Sequence, residues 1–338
     1  MKILIIGAGA IGGCLGGWLS EVYDEVYYYD MPEVAKNLRE LGITTYIQGD
    51  ESNKVNTQVK VVDNIADLPD PDIVAIAVKN YSLDAVCKSV KEQVNGDPII
   101  LALQNGIENQ TIIPKYFDKV IYSIIEFNAW FDSPCVIGYQ NKGPFILGTI
   151  ADNLNEEVEA VKEYLSGAVE TEITDRIRDA AYCKMVINLT NSFTTLVGFK
   201  YREIESLPLF KKMLSNSMYE GVKIVQAMGV KEYHVDNMPP WSKIKASATL
   251  PDFLTMGIFK KNLEKMVLSS MAQDILQRKS GVSELDSLIG HFIELADEYN
   301  VPAPYNKTIY EMCKREFAKP DFKPLTEKEV WAEIQKAL

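Results

Sequence analysis

The chain has 338 residues, more than one ordinary core holds, and 47% are hydrophobic against 24% charged, a globular balance that leaves little room for disorder. A formal net charge of −12 repels phosphate backbones and anionic membrane surfaces, so neither nucleic acid nor membrane is an expected partner, and an anionic ligand needs a local basic residue. Five cysteines without a CxxC pair and only two histidines argue against a zinc site, a disulfide framework or imidazole-based catalysis, and no metal is expected.

Lys2–Gly7 (KILIIG) reads as a buried strand, Ala10–Val22 as a helix, Glu25–Asp30 (EVYYYD) as a second strand and Glu33–Leu41 as a helix. Asp72–Val78 and Pro98–Leu103 are continuous apolar runs of the kind found in parallel strands covered on both faces, and Leu83–Val94 is the helical crossover between them. Val120–Trp130 and Cys135–Ile150 read as strands that extend or edge the same sheet. Asn153–Gly167 reads as a helix, and Glu170–Asp175 as a short strand or linker. This βαβ rhythm predicts an α/β fold with a doubly wound sheet.

From about Arg176 helical periodicity takes over: Ala180–Thr195, Leu209–Met228, Asn262–Gln277 and Glu284–Tyr299 read as helices, and Tyr233–Pro251 as an irregular connection. The expected division is 1–172 for a dinucleotide-binding domain and 173–338 for an all-helical domain carrying substrate. No run of about 20 apolar residues occurs, and Lys2 with the short run Ile3–Ile6 does not make a secretory leader, so the expected location is the cytoplasm.

Gly7-Ala8-Gly9-Ala10-Ile11-Gly12 is a GxGxxG sequence that follows a strand and opens a helix. The first glycine serves the tight turn, the second lets backbone approach a pyrophosphate, and the third lets helix and strand pack closely. The free N–H groups of the helix N-terminus then face the phosphates. Asp30 ends the second strand about 20 residues on, where a carboxylate accepts hydrogen bonds from both adenosine ribose hydroxyls and repels a 2′-phosphate. Asp30 therefore favours NAD(H). NADP(H) stays open because Lys36 or Arg39 in the next helix can reach a 2′-phosphate. A ligand-free glycine turn and an FAD site are the competing readings.

Outside the fingerprint, Lys79 and Asn105-Gly106 end apolar strands at the edge where open α/β sheets bind ligands, although a solvated lysine and an Asn-Gly turn explain them equally. Lys184 and Asn188 are four apart, on one helix face among apolar neighbours, where the lysine is either functional or snorkels to solvent. Ser283-Glu284-Leu285-Asp286 suits a helix start, with Ser283 as cap and Asp286 near a capping-box position.

These pieces together resemble the ketopantoate reductase (2-dehydropantoate 2-reductase) family along nearly the whole chain. The resemblance rests on GAGAIG at Gly7–Gly12, AVK at Ala77–Lys79, LQNG at Leu103–Gly106, KMVIN at Lys184–Asn188, SSMAQD at Ser269–Asp274, SELD at Ser283–Asp286 and VPAPYN at Val301–Asn306. It implies a Rossmann domain, a helical domain and a substrate cleft between them, with reduction of 2-dehydropantoate to pantoate by hydride from a nicotinamide. It implies Lys184 as general acid, Asn188 and Ser270 as substrate ligands, and Asn105 at the nicotinamide and the ketone. By the same resemblance Glu284 anchors a substrate hydroxyl or the cofactor ribose and Ala129 touches the cofactor through backbone, while Lys79 and Asn105, by their place at the strand ends, would flank the nicotinamide ring.

Three departures stand out. Asp30-Met31 occupies the place where many family members carry an arginine for the NADP phosphate. Ser192 stands where they tend to carry a second asparagine, with Asn191 beside it, so the substrate grip at Ser192 differs. The loop Gln277–Ser283 is also longer than usual. An NAD-dependent dehydrogenase of the same family acting on another branched or aromatic 2-hydroxy acid is the second reading, and a non-catalytic NAD-binding sensor the third. The expected partner is a small 2-keto acid, and a homodimer is left open.

Overall fold

A computed structural model of the protein describes residues 1–151, 154–235, 238–266, 268–279 and 283–338. The chain divides into two compact units, Met1–Arg178 and Asp179–Leu338.

The first unit is built on an eight-stranded sheet. In chain order its elements are β1 (Ile3–Ile6), α1 (Ala10–Ser20), β2 (Val26–Tyr29), α2 (Pro32–Leu41), β3 (Ile43–Ile47), β4 (Val55–Thr57), β5 (Lys60–Val61), β6 (Ile73–Ile76), α3 (Asn80–Gln93), β7 (Ile99–Ala102) and α4 (Asn109–Ile112). Then come β8 (Val120–Ile125), β9 (Ala129–Ser133), β10 (Val136–Tyr139), β11 (Phe145–Gly148), α5 (Asn155–Ser166) and β12 (Thr171–Ile173). The expected start of α5 at Asn153 lies outside the described residues. The sheet order is β12-β11-β8-β7-β6-β1-β2-β5. Strands β5 to β8 of that order run parallel, and β11 runs antiparallel to β8. Every residue of β1, β6 and β7 is buried, as the apolar runs require when crossover helices cover both faces. The chain reverses direction across the sheet between β1 and β6, which is the switch point where such sheets bind ligands.

Val120–Trp130 and Cys135–Ile150 do not extend this sheet throughout. Only β8 and β11 do; β9 and β10 form a hairpin in a second sheet of order β4-β3-β10-β9. That sheet covers α1 on the side away from β2. A Cβ on Gly13 would lie 2.3 Å from Ile137 Cδ1, and one on Gly16 would lie 2.0 Å from Tyr28 Oη. Helix α1 is therefore held between two sheets, and the Tyr28 hydroxyl reaches the carbonyls of Gly12 and Gly13 at 3.2 and 3.3 Å. β12 pairs with β11, so the main sheet continues to Ile173, and the first unit ends at Arg178.

The second unit is helical: α6 (Ile177–Leu196), α7 (Leu207–Ala227), α8 (Trp241–Thr249), α9 (Asp252–Lys265), α10 (Ser270–Ala272), α11 (His291–Glu298), α12 (Pro304–Phe317) and α13 (Glu327–Ala337). π-Helical turns continue α10 over Gln273–Gln277 and lead into α11 over Asp286–Gly290. Helix α7 is central and touches α8, α9, α11, α12 and α13. It carries two buried charges with defined partners. Lys211 donates to Ser247 O and Asp252 Oδ1, both at 2.9 Å. Glu220 receives the N–H groups of Tyr305 and Asn306 at 3.0 and 2.9 Å, so its carboxylate caps the first turn of α12. Glu327, fully buried, accepts from Arg202 Nη2 at 2.6 Å with one oxygen and from the backbone N–H of Glu205 and Ser206 with the other, which holds the chain that leads into α7.

The helical expectations for this unit need two corrections. Asn262–Gln277 is not one helix. Met266 turns extended, and Ser269 starts a new one by accepting the Ala272 N–H at 3.1 Å. The connection Tyr233–Pro251 contains α8, although residues 236–237 lie outside the described set. Among the described residues, no helix is long and apolar enough to cross a membrane, and no group of three or more His, Cys, Asp or Glu is placed to hold a metal ion.

Candidate active site

The strand register levels the ends of four segments. Ile6 pairs with Tyr29 and with Ile76, and Ile76 with Ala102. Gly7, Asp30, Ala77 and Leu103 therefore leave the sheet side by side, and the fingerprint, the acid, Val78-Lys79 and Gln104–Gly106 share one carboxyl edge. Sequence spacing alone placed each at a strand end; the parallel register is what brings them together.

The glycine loop is shaped by close approach. Gly7 has φ +97°, a conformation that side-chain-bearing residues rarely adopt. A Cβ on Gly12 would lie 2.0 Å from Gly7 O, whereas one on Gly9 would meet nothing within 4 Å. Gly12 thus lets the helix sit on its own loop, and Gly9 leaves open space above the start of α1. Ala10, Ile11 and Gly12 form the first turn of α1, where N–H groups have no carbonyl of their own helix to meet. Open space in front of such donors, with the positive end of the helix dipole behind, suits a pyrophosphate, so these residues fit a dinucleotide.

Asp30 does more than end β2. Its Oδ2 accepts the Ala8 N–H and its Oδ1 the Met31 N–H, both at 2.6 Å. Each carboxylate oxygen keeps acceptor capacity for a hydroxyl. The two cations considered for a 2′-phosphate have acidic neighbours: Arg39 Nη2 lies 2.5 Å from Asp63 Oδ1, and Lys36 Nζ 3.9 Å from Glu40 Oε1.

Lys79 is half-buried and is the last residue before α3. Asn105 is half-buried, and Gly106 follows it at φ +104°. Two amide side chains hold this turn: Gln104 of the LQNG sequence, to which the sequence assigns no role of its own, and Asn80, which the sequence does not single out. Gln104 Nε2 donates to Ile76 O at 2.6 Å, and Asn80 Nδ2 donates to Asn105 O at 2.7 Å. Nothing in the local pattern marks them, because their partners lie 28 and 25 residues away. Ala129 belongs to the other sheet: it opens β9, opposite Tyr139, and packs against the core cluster that includes α1.

In the second unit, Lys184, Asn188 and Ser192 occupy one face of α6 at intervals of four residues. Lys184 and Asn188 are half-buried. Ser192 is wholly enclosed, and its Oγ has no hydrogen-bond partner among the described residues. A ligand reaches that hydroxyl only if the enclosing side chains move. Ser270 begins α10 beside Ser269, whose Oγ lies 3.4 Å from Thr195 Oγ1, so α10 is tied to the end of α6 that follows Ser192. Glu284 is buried just before the π-helical turn, and its carbonyl receives Ser287 Oγ and the Leu288 N–H. Asp286, expected to face Ser283 in a capping arrangement, instead accepts from Tyr310 Oη at 2.6 Å. The loop expected to be longer than usual includes 280–282, outside the described residues.

Known proteins resemble this chain in sequence and in fold. The family model described as ketopantoate reductase PanE/ApbA matches residues 3–152, and its C-terminal companion matches 176–316. A 2-dehydropantoate 2-reductase of Pyrococcus abyssi is 28% identical over 93% of this chain and 97% of its own. Among solved structures, D-mandelate dehydrogenase with NADH and anilino(oxo)acetate superposes with a TM-score of 0.77 at 20% identity, over 96% of this chain and 100% of that one. A PanE/ApbA family ketopantoate reductase from Ralstonia eutropha JMP134 gives 0.75 at 21%, over 95% and 99%.

Proposed function

Because the chain belongs to the ketopantoate reductase family, we propose that it reduces 2-dehydropantoate to pantoate, using a nicotinamide cofactor bound at the carboxyl edge of the main sheet. The observation that carries this reading is the levelled edge of Gly7, Asp30, Ala77 and Leu103, with open space over Gly9.

The roles proposed for the chain's residues follow from their chemistry. The Gly7–Gly12 segment, with Ala8, Ala10 and Ile11 supplying backbone, receives the pyrophosphate, and Asp30 takes the adenosine ribose. Lys79, Asn105 and the backbone of Ala129 hold the remainder of the cofactor. The bound cofactor supplies a hydride to the keto carbon. Lys184 gives its ammonium proton to the carbonyl oxygen as the C=O π bond breaks, and its positive charge stabilises the oxyanion while that charge develops. Asn188 and Ser270 orient the carboxylate and carbonyl, with Ser192 behind them on the same helix face. Glu284 holds a substrate hydroxyl or the nicotinamide ribose.

A second reading keeps the chemistry and changes the acid: an NAD-dependent dehydrogenase for another branched or aromatic 2-hydroxy acid. The Asp30 carboxylate, where an arginine would grip a 2′-phosphate, favours NADH in either case, and the enclosed Ser192 favours an altered substrate grip. The test is oxidation of NADH and of NADPH by the purified protein with 2-dehydropantoate. Rapid turnover supports the first reading. Turnover with NADH only on a different 2-keto acid supports the second. NADH binding without turnover on any 2-keto acid overturns both in favour of a sensor.

A further inference from the structure

Asn80 is the first residue of α3, directly after Lys79, and is 4% exposed. A buried asparagine at a helix start ordinarily turns its side chain toward its own helix. This one reaches across to the next crossover and donates Nδ2 to the carbonyl of Asn105 at 2.7 Å. The turn it meets is anchored just before Asn105. The Leu103 N–H and Gln104 Nε2 both go to Ile76 O, at 3.0 and 2.6 Å, and these bonds anchor the chain before Asn105. Beyond it comes Gly106 at φ +104°, a residue with no side chain to resist rotation. The Asn105–Gly106 peptide lies between that anchor and a residue of high backbone freedom, and the Asn80 amide holds its carbonyl.

We infer that Asn80 is a positioning residue for Asn105: it fixes the Asn105–Gly106 peptide, and through it the direction in which the Asn105 side chain meets cofactor and keto acid. The inference rests on the role proposed above for Asn105. The bond replaces none of the cofactor contacts; it removes a rotation the bound state cannot tolerate, which is how preorganisation raises affinity. The remaining atom of the amide, Asn80 Oδ1, is buried without a hydrogen-bond partner among the described residues, so the side chain is retained there with half of its polar capacity unused.

The test is a double-mutant cycle on the full chain with Asn80→Ala, Asn105→Ala and the pair, and with Asn80→Asp as a same-size variant that lacks the donor. NADH dissociation constants, kcat/KM for the 2-keto acid that turns over, and thermal midpoints are measured for each. The expected result is a 5- to 10-fold loss in NADH affinity and in kcat/KM for both Asn80 variants, about what one hydrogen bond contributes. The losses should largely vanish in the Asn105→Ala background, because the two residues act as one. Asn80 variants that bind NADH like the parent, or whose effects add to that of Asn105→Ala, overturn the inference alone. Failure of both Asn80 variants to fold, or a fall in thermal midpoint at unchanged NADH affinity, overturns it in favour of a purely structural role. An Asn105→Ala variant with parental affinity and turnover overturns the role of Asn105 itself, and the inference falls with it.

Discussion

Asp30 Oδ2 and the Ala8 N–H are 2.6 Å apart although 22 residues separate them, so the acid that ends the second strand is also a clamp on the glycine loop. Two backbone N–H groups hold this charge at the place proposed for the adenosine ribose. Asp30→Asn keeps an acceptor for Ala8 and removes the charge. The expected outcome is a rise of about tenfold in the ratio of kcat/KM for NADPH to that for NADH, about 1.4 kcal/mol of relieved repulsion. An unchanged ratio would show that the carboxylate does not set the preference.

Gly9 and Gly12 separate binding from folding. Gly12→Ala puts a methyl 2.0 Å from Gly7 O and should destabilise the first unit by about 1–3 kcal/mol or more, read by urea unfolding. Gly9→Ala meets no protein atom and should unfold within about 0.5 kcal/mol of the parent. It should nevertheless weaken NADH binding about tenfold or more, because the methyl fills the space proposed for the pyrophosphate.

Lys184→Ala should lower kcat by about 10²–10⁴-fold, the usual contribution of a general acid, with little change in thermal midpoint because the side chain is only half-buried. A variant that keeps most of its turnover removes Lys184 from the mechanism.

The pH dependence of stability should carry a signature of Glu220. Burial raises its carboxyl from the ordinary 4.5 to about 6, partly offset by the N–H donors of Tyr305 and Asn306. The folded state therefore holds this proton more tightly than the unfolded chain. Stability from this group is full below about pH 4.5 and is lost as pH rises through about 6, by about 2 kcal/mol in all. Glu220→Gln should remove that component from a plot of unfolding free energy against pH between 4 and 7. Parallel curves for the two proteins would disprove it.

Glu327 is fully buried and has Arg202 as its charged partner. Glu327→Gln leaves that guanidinium with only the longer contact to the exposed Glu205 carboxylate, at 3.7 Å, and weakens the hold on the Glu205–Ser206 backbone, so a loss of about 3 kcal/mol is expected by denaturant titration. Arg202→Met with Glu327→Met should recover part of it.

Much of the first unit was legible in the sequence because its central strands are covered on both faces, which leaves uninterrupted runs such as Ile73–Ile76 and Ile99–Ala102. The small sheet was not. Ile43–Ile47 and Val136–Tyr139 pair in parallel across almost a hundred residues, and neither is long enough to declare its partner. In the second unit, α9 ends at Met266 and Ser269 caps a new helix within a sequence whose periodicity continues, and a serine cap announces itself less than proline or glycine. The site divides the same way. Gly7–Gly12 and Asp30 announce themselves by spacing, whereas Asn80 and Gln104 acquire meaning only when the register of β6 and β7 sets them beside Asn105 and Ile76.

The seating of α1 bears on the thermodynamics of ligand uptake. With Tyr28 against one flank of the helix and Ile137 against the other, and the loop bonded to Asp30, the N–H groups proposed to receive the pyrophosphate are held in place before any ligand arrives. Calorimetry should accordingly find NADH binding to this unit enthalpy-led, with little of the entropy loss or large negative heat-capacity change that accompanies the ordering of a mobile loop.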